Sequence, residues 1–163
     1  MLKIIETILV PHNRINVIKD KKTKNKIEKE LKVKISFEEN NVIIEGEGVN
    51  LFQAKNIVKA IGRGFSPQNA FRLLDENEML YIIDFGRFNR NRQRIIRSRL
   101  IGTKGKTRSL IEKYSGCAVS IYGKTVALIG KYEQINIAKE AVMMIIRGAK
   151  HSKVYSFLER AKL

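Results

Sequence analysis

Two periodicities alternate along the chain. Residues 4–10 and 79–85 are short runs rich in Ile, Leu and Tyr, which predicts a strand opening each half. The second half then shifts to helical spacing: a basic stretch over 89–100, a short loop, and a second helix reaching Tyr114. That helix carries Leu110, Ile111 and Tyr114 on one face and has Gly116 beyond it as a stop. Residues 117–122 and 125–129, joined at Gly123-Lys124, predict a hairpin, and 33–37 and 42–45, joined across Glu39-Asn40-Asn41, predict its counterpart in the first half. The closing helix, 132–147, sets Ile135, Ala138, Val142 and Ile145 on one stripe and ends at Gly148.

The two halves resemble each other residue by residue. Shifted by 84 positions, residues 18–64 align with 102–148 without a gap, and 14 of the 47 positions are identical. The identities include Thr23 with Thr107, Ile27-Glu28-Lys29 with Ile111-Glu112-Lys113, Gly46 with Gly130, Ala54-Lys55 with Ala138-Lys139, and Arg63-Gly64 with Arg147-Gly148. Each copy reads β-α-α-β-β-α, so an α+β fold of two tandem modules is expected. The first spans 1–62, a linker 63–78, and the second 79–163 with a helical tail. In the linker, Ser66 is placed to cap a short helix with Pro67 at its first position and Ala70, Phe71 and Leu74 pointing inward. That helix is expected to wedge between the modules. The tail, with Val154, Tyr155, Phe157 and Leu158, is amphipathic at helical spacing; it either folds back on the second module or docks a partner.

Composition narrows the partners. The 163 residues include 32 Lys+Arg against 16 Asp+Glu, a net charge of +16, and 44% are hydrophobic. This is a folded chain, and no apolar run is long enough to span a bilayer. Lone Cys117 leaves no internal disulfide or multi-Cys zinc site and reads as a small buried hydrophobe. The opening Met1-Leu2-Lys3-Ile4 lacks the features of a secretory signal, so a reducing cytoplasm is expected. Net charge is +4 over 1–62, −1 over 63–78 and +13 over 79–163. No acid lies between Asp84 and Glu112, while Arg87, Arg90, Arg92, Arg94, Arg97, Arg99, Lys104, Lys106 and Arg108 all fall in that gap. Without carboxylates nearby in sequence, such a cluster points to a polyanion, nucleic acid rather than membrane, although a solvated basic face would carry the same charge.

One segment carries candidate chemistry. Gly102-Thr103-Lys104-Gly105 is a glycine-bracketed basic turn opening a helix. Glycines let the backbone approach a phosphate, and the amides and positive dipole end of the following helix favour the anion. Glycines at that spacing are equally compatible with a plain helix-turn-helix. The same shift places Ile18-Lys19-Asp20-Lys21 at this point in the first copy, without either glycine, which predicts a lost clamp there.

Catalysis is not expected. Gly105-Lys106-Thr107 imitates the end of a P-loop, but that motif needs a Gly where Leu100 stands, and Gly123-Lys124-Thr125 fails the same way at Ala118. His12 and His151 have no metal-ligand spacing and read as surface residues. Asp84, Glu112, Glu133, Glu140 and Glu159 do not cluster as nuclease ligands for a divalent cation would. No catalytic residue, metal site or cofactor is expected.

The arrangement resembles the type I KH fold, a three-stranded antiparallel sheet packed with three helices. Its GxxG loop clamps about four backbone nucleotides of a single strand. The resemblance nominates Ile96, Ile101, Ile111, Val119 and Ile121 for the base groove, where each could equally be core. Residues 60–67, 70–74, 119–127 and 151–160 narrow this further: they resemble the archaeal and eukaryotic pre-ribosomal KH factor known as the partner of the Nob endonuclease. That resemblance implies a ribosome-assembly protein that binds single-stranded RNA near the 3′ end of small-subunit ribosomal RNA and assists Nob-dependent processing of its precursor. It also implies contact with the alpha subunit of translation initiation factor two. The RNA-binding residues so nominated are Gly102, Thr103, Lys104 and Gly105, with their neighbours Arg97, Arg99, Ile101, Lys106 and Arg108. The alternative from another class is an adaptor for a nuclease or translation factor in which RNA contact is incidental.

Overall fold

A computed structural model describes residues 2–163. The chain divides into two compact units, the first ending at Leu74 and the second beginning at Asp75. Both are mixed α+β, each built on a three-stranded antiparallel sheet.

The first unit runs β1 (Ile4–Leu9), α1 (Ile15–Lys19), α2 (Lys21–Leu31), β2 (Lys34–Glu38), β3 (Asn41–Gly46), α3 (Gly48–Gly62) and α4 (Pro67–Ala70), then a 3-10 turn over Phe71–Leu74. Its sheet order is β1-β3-β2, with Ile8 opposite Val42 and Ile35 opposite Ile44. All four are buried, because inward positions recur every second residue along a strand, and this inward set packs on α2 and α3, whose buried positions include Ile27, Leu51, Ile57 and Ile61.

The second unit runs β4 (Met79–Asp84), α5 (Arg90–Ile101), α6 (Lys106–Ser115), β5 (Ala118–Tyr122), β6 (Thr125–Gly130), α7 (Tyr132–Ile146) and α8 (His151–Ala161). Sheet order is β4-β6-β5. The core gathers Ile96, Leu100, Ile111, Val119, Val126, Leu128, Ile135, Ala138, Val142 and Ile145, closed at one side by Val154 and Leu158 of α8. The tail therefore folds back on its own unit.

The copies agree in detail over their later halves. Adding 84 to the bounds of β2, β3 and α3 gives the bounds of β5, β6 and α7. Side-chain contacts repeat as well. Glu28 Oε2 accepts the Ile35 amide at 2.8 Å, as Glu112 Oε2 accepts the Val119 amide at 3.0 Å. Lys24 pairs with Glu28 at 3.3 Å, as Arg108 pairs with Glu112 at 3.7 Å. Arg14 donates to the carbonyls of Ile61 and Phe65, as Arg99 donates to those of Ile145 and Ala149. In both cases an arginine ties the end of the closing helix to the loop that follows it, adding a second donor to a carbonyl that already accepts the amide of Gly64 or Gly148.

The copies differ before that. Eleven residues separate β1 from α2, whereas twenty-one separate β4 from α6, and five-residue α1 stands against twelve-residue α5.

Three expectations need correction. The Arg108–Glu112 pair shows that the basic cluster is not wholly without carboxylates: the last cation of the run reaches one helical turn forward to the acid that ends it. In the linker, Ala70 and Leu73 are buried while Phe71 and Leu74 are only half-buried. The segment tightens to a 3-10 turn, where positions three apart share a face. It lies along α3, with Gln53 Nε2 donating to the Leu74 carbonyl at 3.1 Å. His151 is not a free surface side chain: it is half-buried and bonded to the Arg99 carbonyl at 2.9 Å.

Candidate nucleic-acid interface

Helix α5 begins with Asn89 accepting from the Arg92 amide at 2.8 Å. Its buried stripe is Ile96 and Leu100. Arg90, Arg94, Arg97 and Ile101 fall on another stripe by their spacing of four, three and four, and all are exposed or half-exposed. This stripe leads into the loop. Arg97 reaches the carbonyl of Gly123 in the β5–β6 turn at 2.8 Å, and Arg94 holds Asn91 Oδ1 at 2.7 Å.

Both bracketing glycines have positive φ, for different reasons. Gly102, at φ 77° and ψ 172°, lies in a region essentially reserved for glycine, and a Cβ there would stand 2.8 Å from both the Thr107 amide nitrogen and Thr107 Cβ. Gly105, at φ 75° and ψ 14°, has left-handed helical backbone, and a Cβ there would meet nothing within 4 Å. The first glycine lets the chain fold against itself; the second leaves open space on the outside of the turn. Between them, Thr103 and Lys104 are exposed, and Lys104 itself has left-handed backbone at φ 55°. A long cation is thus held outward by a conformation its backbone would not choose.

Because Gly105 stands at the N-cap of α6, no side chain caps that helix. Its positive dipole end lies at the loop; of its first amides, that of Lys106 donates to the Thr103 carbonyl and that of Thr107 packs against Gly102. The first unit contrasts with this: Asp20, at the junction of α1 and α2, accepts the Thr23 amide at 3.3 Å and fills with its own carboxylate the place an external anion would take. Ile18, opposite Gly102 in the alignment, is fully buried.

Among the nominated residues, Gly102, Thr103, Lys104, Gly105 and Lys106 form one continuous loop and helix start, with Ile101 37% exposed beside them. Arg97 stands at the hairpin end of the same α5 stripe. Arg99 and Arg108 are committed to the carbonyl and carboxylate contacts described above, and their counterparts Arg14 and Lys24 make the same contacts where no such loop exists. Both contacts therefore form without a glycine loop beside them. Of the groove aliphatics, Ile96, Ile111 and Val119 are core at 3% exposure or less, leaving Ile101 and half-buried Ile121 on the surface. Arg90 and Arg94, absent from the nominated set, share the stripe with Arg97; the spacing along α5 was the signal that could have found them. Among the described residues, no group of three or more His, Cys, Asp or Glu could hold a metal ion, and no helix is long and apolar enough to cross a membrane.

Comparison with known proteins agrees with this geometry. Residues 79–163 match the second KH domain of PNO1, a eukaryotic-type KH domain (type I). A KH domain-containing protein of Methanocaldococcus jannaschii is 42% identical over 98% of this chain and 75% of its own length. The pre-rRNA-processing protein pno1 of Aspergillus fumigatus is 32% identical over 68% of this chain and 46% of its own, so the chain spans less than half of that fungal relative. Among solved structures, one chain of an a/eIF2alpha-aDim2p-rRNA complex from Pyrococcus horikoshii OT3 superposes with a TM-score of 0.91. It is 44% identical, and the match covers 98% of this chain and 94% of that one. An uncapped glycine loop on a basic α+β unit, a domain match over the whole second unit and full-length archaeal relatives converge: the chain belongs to the PNO1/Dim2 family of KH-domain pre-rRNA-processing proteins.

Proposed function

We propose that the chain is a non-catalytic, RNA-binding factor of small-subunit ribosome assembly, built as two tandem type I KH modules of which the second holds single-stranded RNA. The observation that carries this reading is the uncapped N-terminus of α6 behind the Gly102–Gly105 turn, with Lys104 and Lys106 beside it. One phosphate group sits at the positive end of α6 beside Lys104 and Lys106, the neighbouring phosphates follow the Arg90–Arg94–Arg97 stripe, and Ile101 and Ile121 offer apolar surface to bases. The first module, with Asp20 in the seat of the anion, serves as support.

The site of action we propose is the 3′ region of small-subunit ribosomal RNA in the cytoplasm, alongside the Nob endonuclease and in contact with the alpha subunit of translation initiation factor two. The solved complex that pairs a 44% identical chain with ribosomal RNA and that initiation factor supports the RNA and the factor; the Nob partnership rests on the family resemblance. The adaptor alternative keeps a specific observation in its favour. Ile5 and Leu9, on one face of β1, are 63% and 75% exposed, apolar surface suited to protein contact on the module without a loop.

The test is binding of a short single-stranded RNA copying the 3′ end of small-subunit ribosomal RNA. Thr103→Asp with Lys104→Asp abolishes binding while the circular dichroism spectrum stays unchanged. Undiminished binding would reduce the loop to a turn and leave the adaptor reading standing.

A further inference from the structure

Helix α8 lies outside the β-α-α-β-β-α order, yet it makes polar contacts to both shoulders of the loop. On the α5 side, His151 Nε2 donates to the Arg99 carbonyl at 2.9 Å, three residues before Gly102. That carbonyl belongs to the last turn of α5, where intrahelical partners run out. On the α6 side, the Tyr155 hydroxyl and Thr107 Oγ1 are 2.8 Å apart. Thr107 is 1% exposed and is the residue against which Gly102 is packed. His151 and Tyr155 are one turn apart on α8, and their rings stack at 5.8 Å with 6° between planes. Lys106 Nζ lies 5.8 Å from the centre of the Tyr155 ring, so the ring also holds a cation of the loop over its face.

We infer that α8 is a staple that sets the spacing of the α5 and α6 shoulders, and that Tyr155 and His151 are positioning residues for the phosphate-binding loop. The inference rests on the reading that this loop binds RNA. The physical reason for a staple is in the loop itself. A turn with positive φ at Gly102, Lys104 and Gly105 and no side-chain cap on α6 has few internal bonds to fix its shape. Without an outside support, its amides would converge on a phosphate only part of the time, and affinity falls in proportion to the competent fraction. The stacked pair supplies that support from a helix anchored by fully buried Val154 and Leu158.

The experiment compares the natural full chain with Tyr155→Phe, Thr107→Val, both together, and the loop variant Thr103→Asp with Lys104→Asp. RNA affinity and amide hydrogen exchange over residues 102–108 are read well below the unfolding midpoint. Tyr155→Phe keeps the ring, its stack and its packing and removes only the hydroxyl, so the fold survives. We expect it to weaken RNA binding about three- to tenfold, the loss of one hydroxyl bond. The loop amides should exchange faster, while those of β5 and β6 stay protected. The double Tyr155→Phe, Thr107→Val change should cost no more than the larger single change, because both break one contact. Natural affinity with unchanged loop exchange in Tyr155→Phe overturns the staple while the loop variant still loses binding. If the loop variant binds as the natural chain does, it is the RNA-loop reading that fails.

Discussion

The two glycines of the loop do different jobs, and substitution separates them. Alanine at Gly102 places a Cβ in a region essentially closed to L residues and against the backbone and side chain of Thr107; it should destabilise the fold by at least about 2 kcal/mol. Alanine at Gly105 meets open space and faces only the left-handed backbone preference, about 1 kcal/mol. In urea denaturation Gly102→Ala should therefore lower the midpoint clearly more than Gly105→Ala. RNA binding should order them by another rule, because the Cβ at 105 projects into the space where the phosphate must approach. A Gly105→Ala chain that is nearly as stable as the natural one yet binds weakly is the expected outcome. Equal midpoints for the two variants would contradict the close packing at Gly102.

At the level of the elements, the first copy keeps the sheet order and closing helix of the second without a glycine loop. Asp20 joins α1 to α2 in a single residue and caps the second helix, a contact that contributes about 1 kcal/mol. Asp20→Ala should lower the thermal midpoint by a few degrees, read by circular dichroism, and leave RNA affinity where it was. A gain in affinity would mean that an anion takes the vacated seat. Hairpins, closing helices and the glycine loop were legible in the sequence because each depends on neighbours within a dozen residues: β-branched runs, a turn pair, a helical stripe. The contacts that sort scaffold from site were not. Arg99 meets its carbonyls 46 and 50 residues away, Tyr155 meets Thr107 across 48, and His151 meets Arg99 across 52. Arg14 and Arg99 stand 85 apart, just before the ungapped block begins, so a fixed shift of 84 hides their equivalence. Thr107 and Ser115 occupy core-facing positions of α6 that an apolar pattern skips, and Ser115 is satisfied there by the Ile111 carbonyl at 2.6 Å.

For the molecule as a whole, charge and shape make separable predictions about how much of the surface meets RNA. The second half carries a net +13, and if all of that excess engaged the strand, affinity would collapse with salt. A clamp limited to the loop amides, Lys104, Lys106 and the outer stripe of α5 engages about three to four phosphates. Single strands release roughly 0.7 counterion per phosphate, so the log-log slope of affinity against salt should be about −2 to −3. Arg99 and Arg108 are expected to add little to it, since each holds a contact that its counterpart Arg14 or Lys24 makes without a glycine loop. The first module provides the control within the same chain. Lys21, Lys22 and Lys26 are exposed on α2, as strongly basic in sequence as the loop region, but they stand behind a helix already capped by Asp20. Changing all three to Gln should leave the slope within error, whereas Lys104→Gln with Lys106→Gln should flatten it by about 1 to 1.5. A slope near −6, or one that the α2 changes flatten as much as the loop changes do, would mean that binding follows total charge. The glycine loop would then have no privileged place in it.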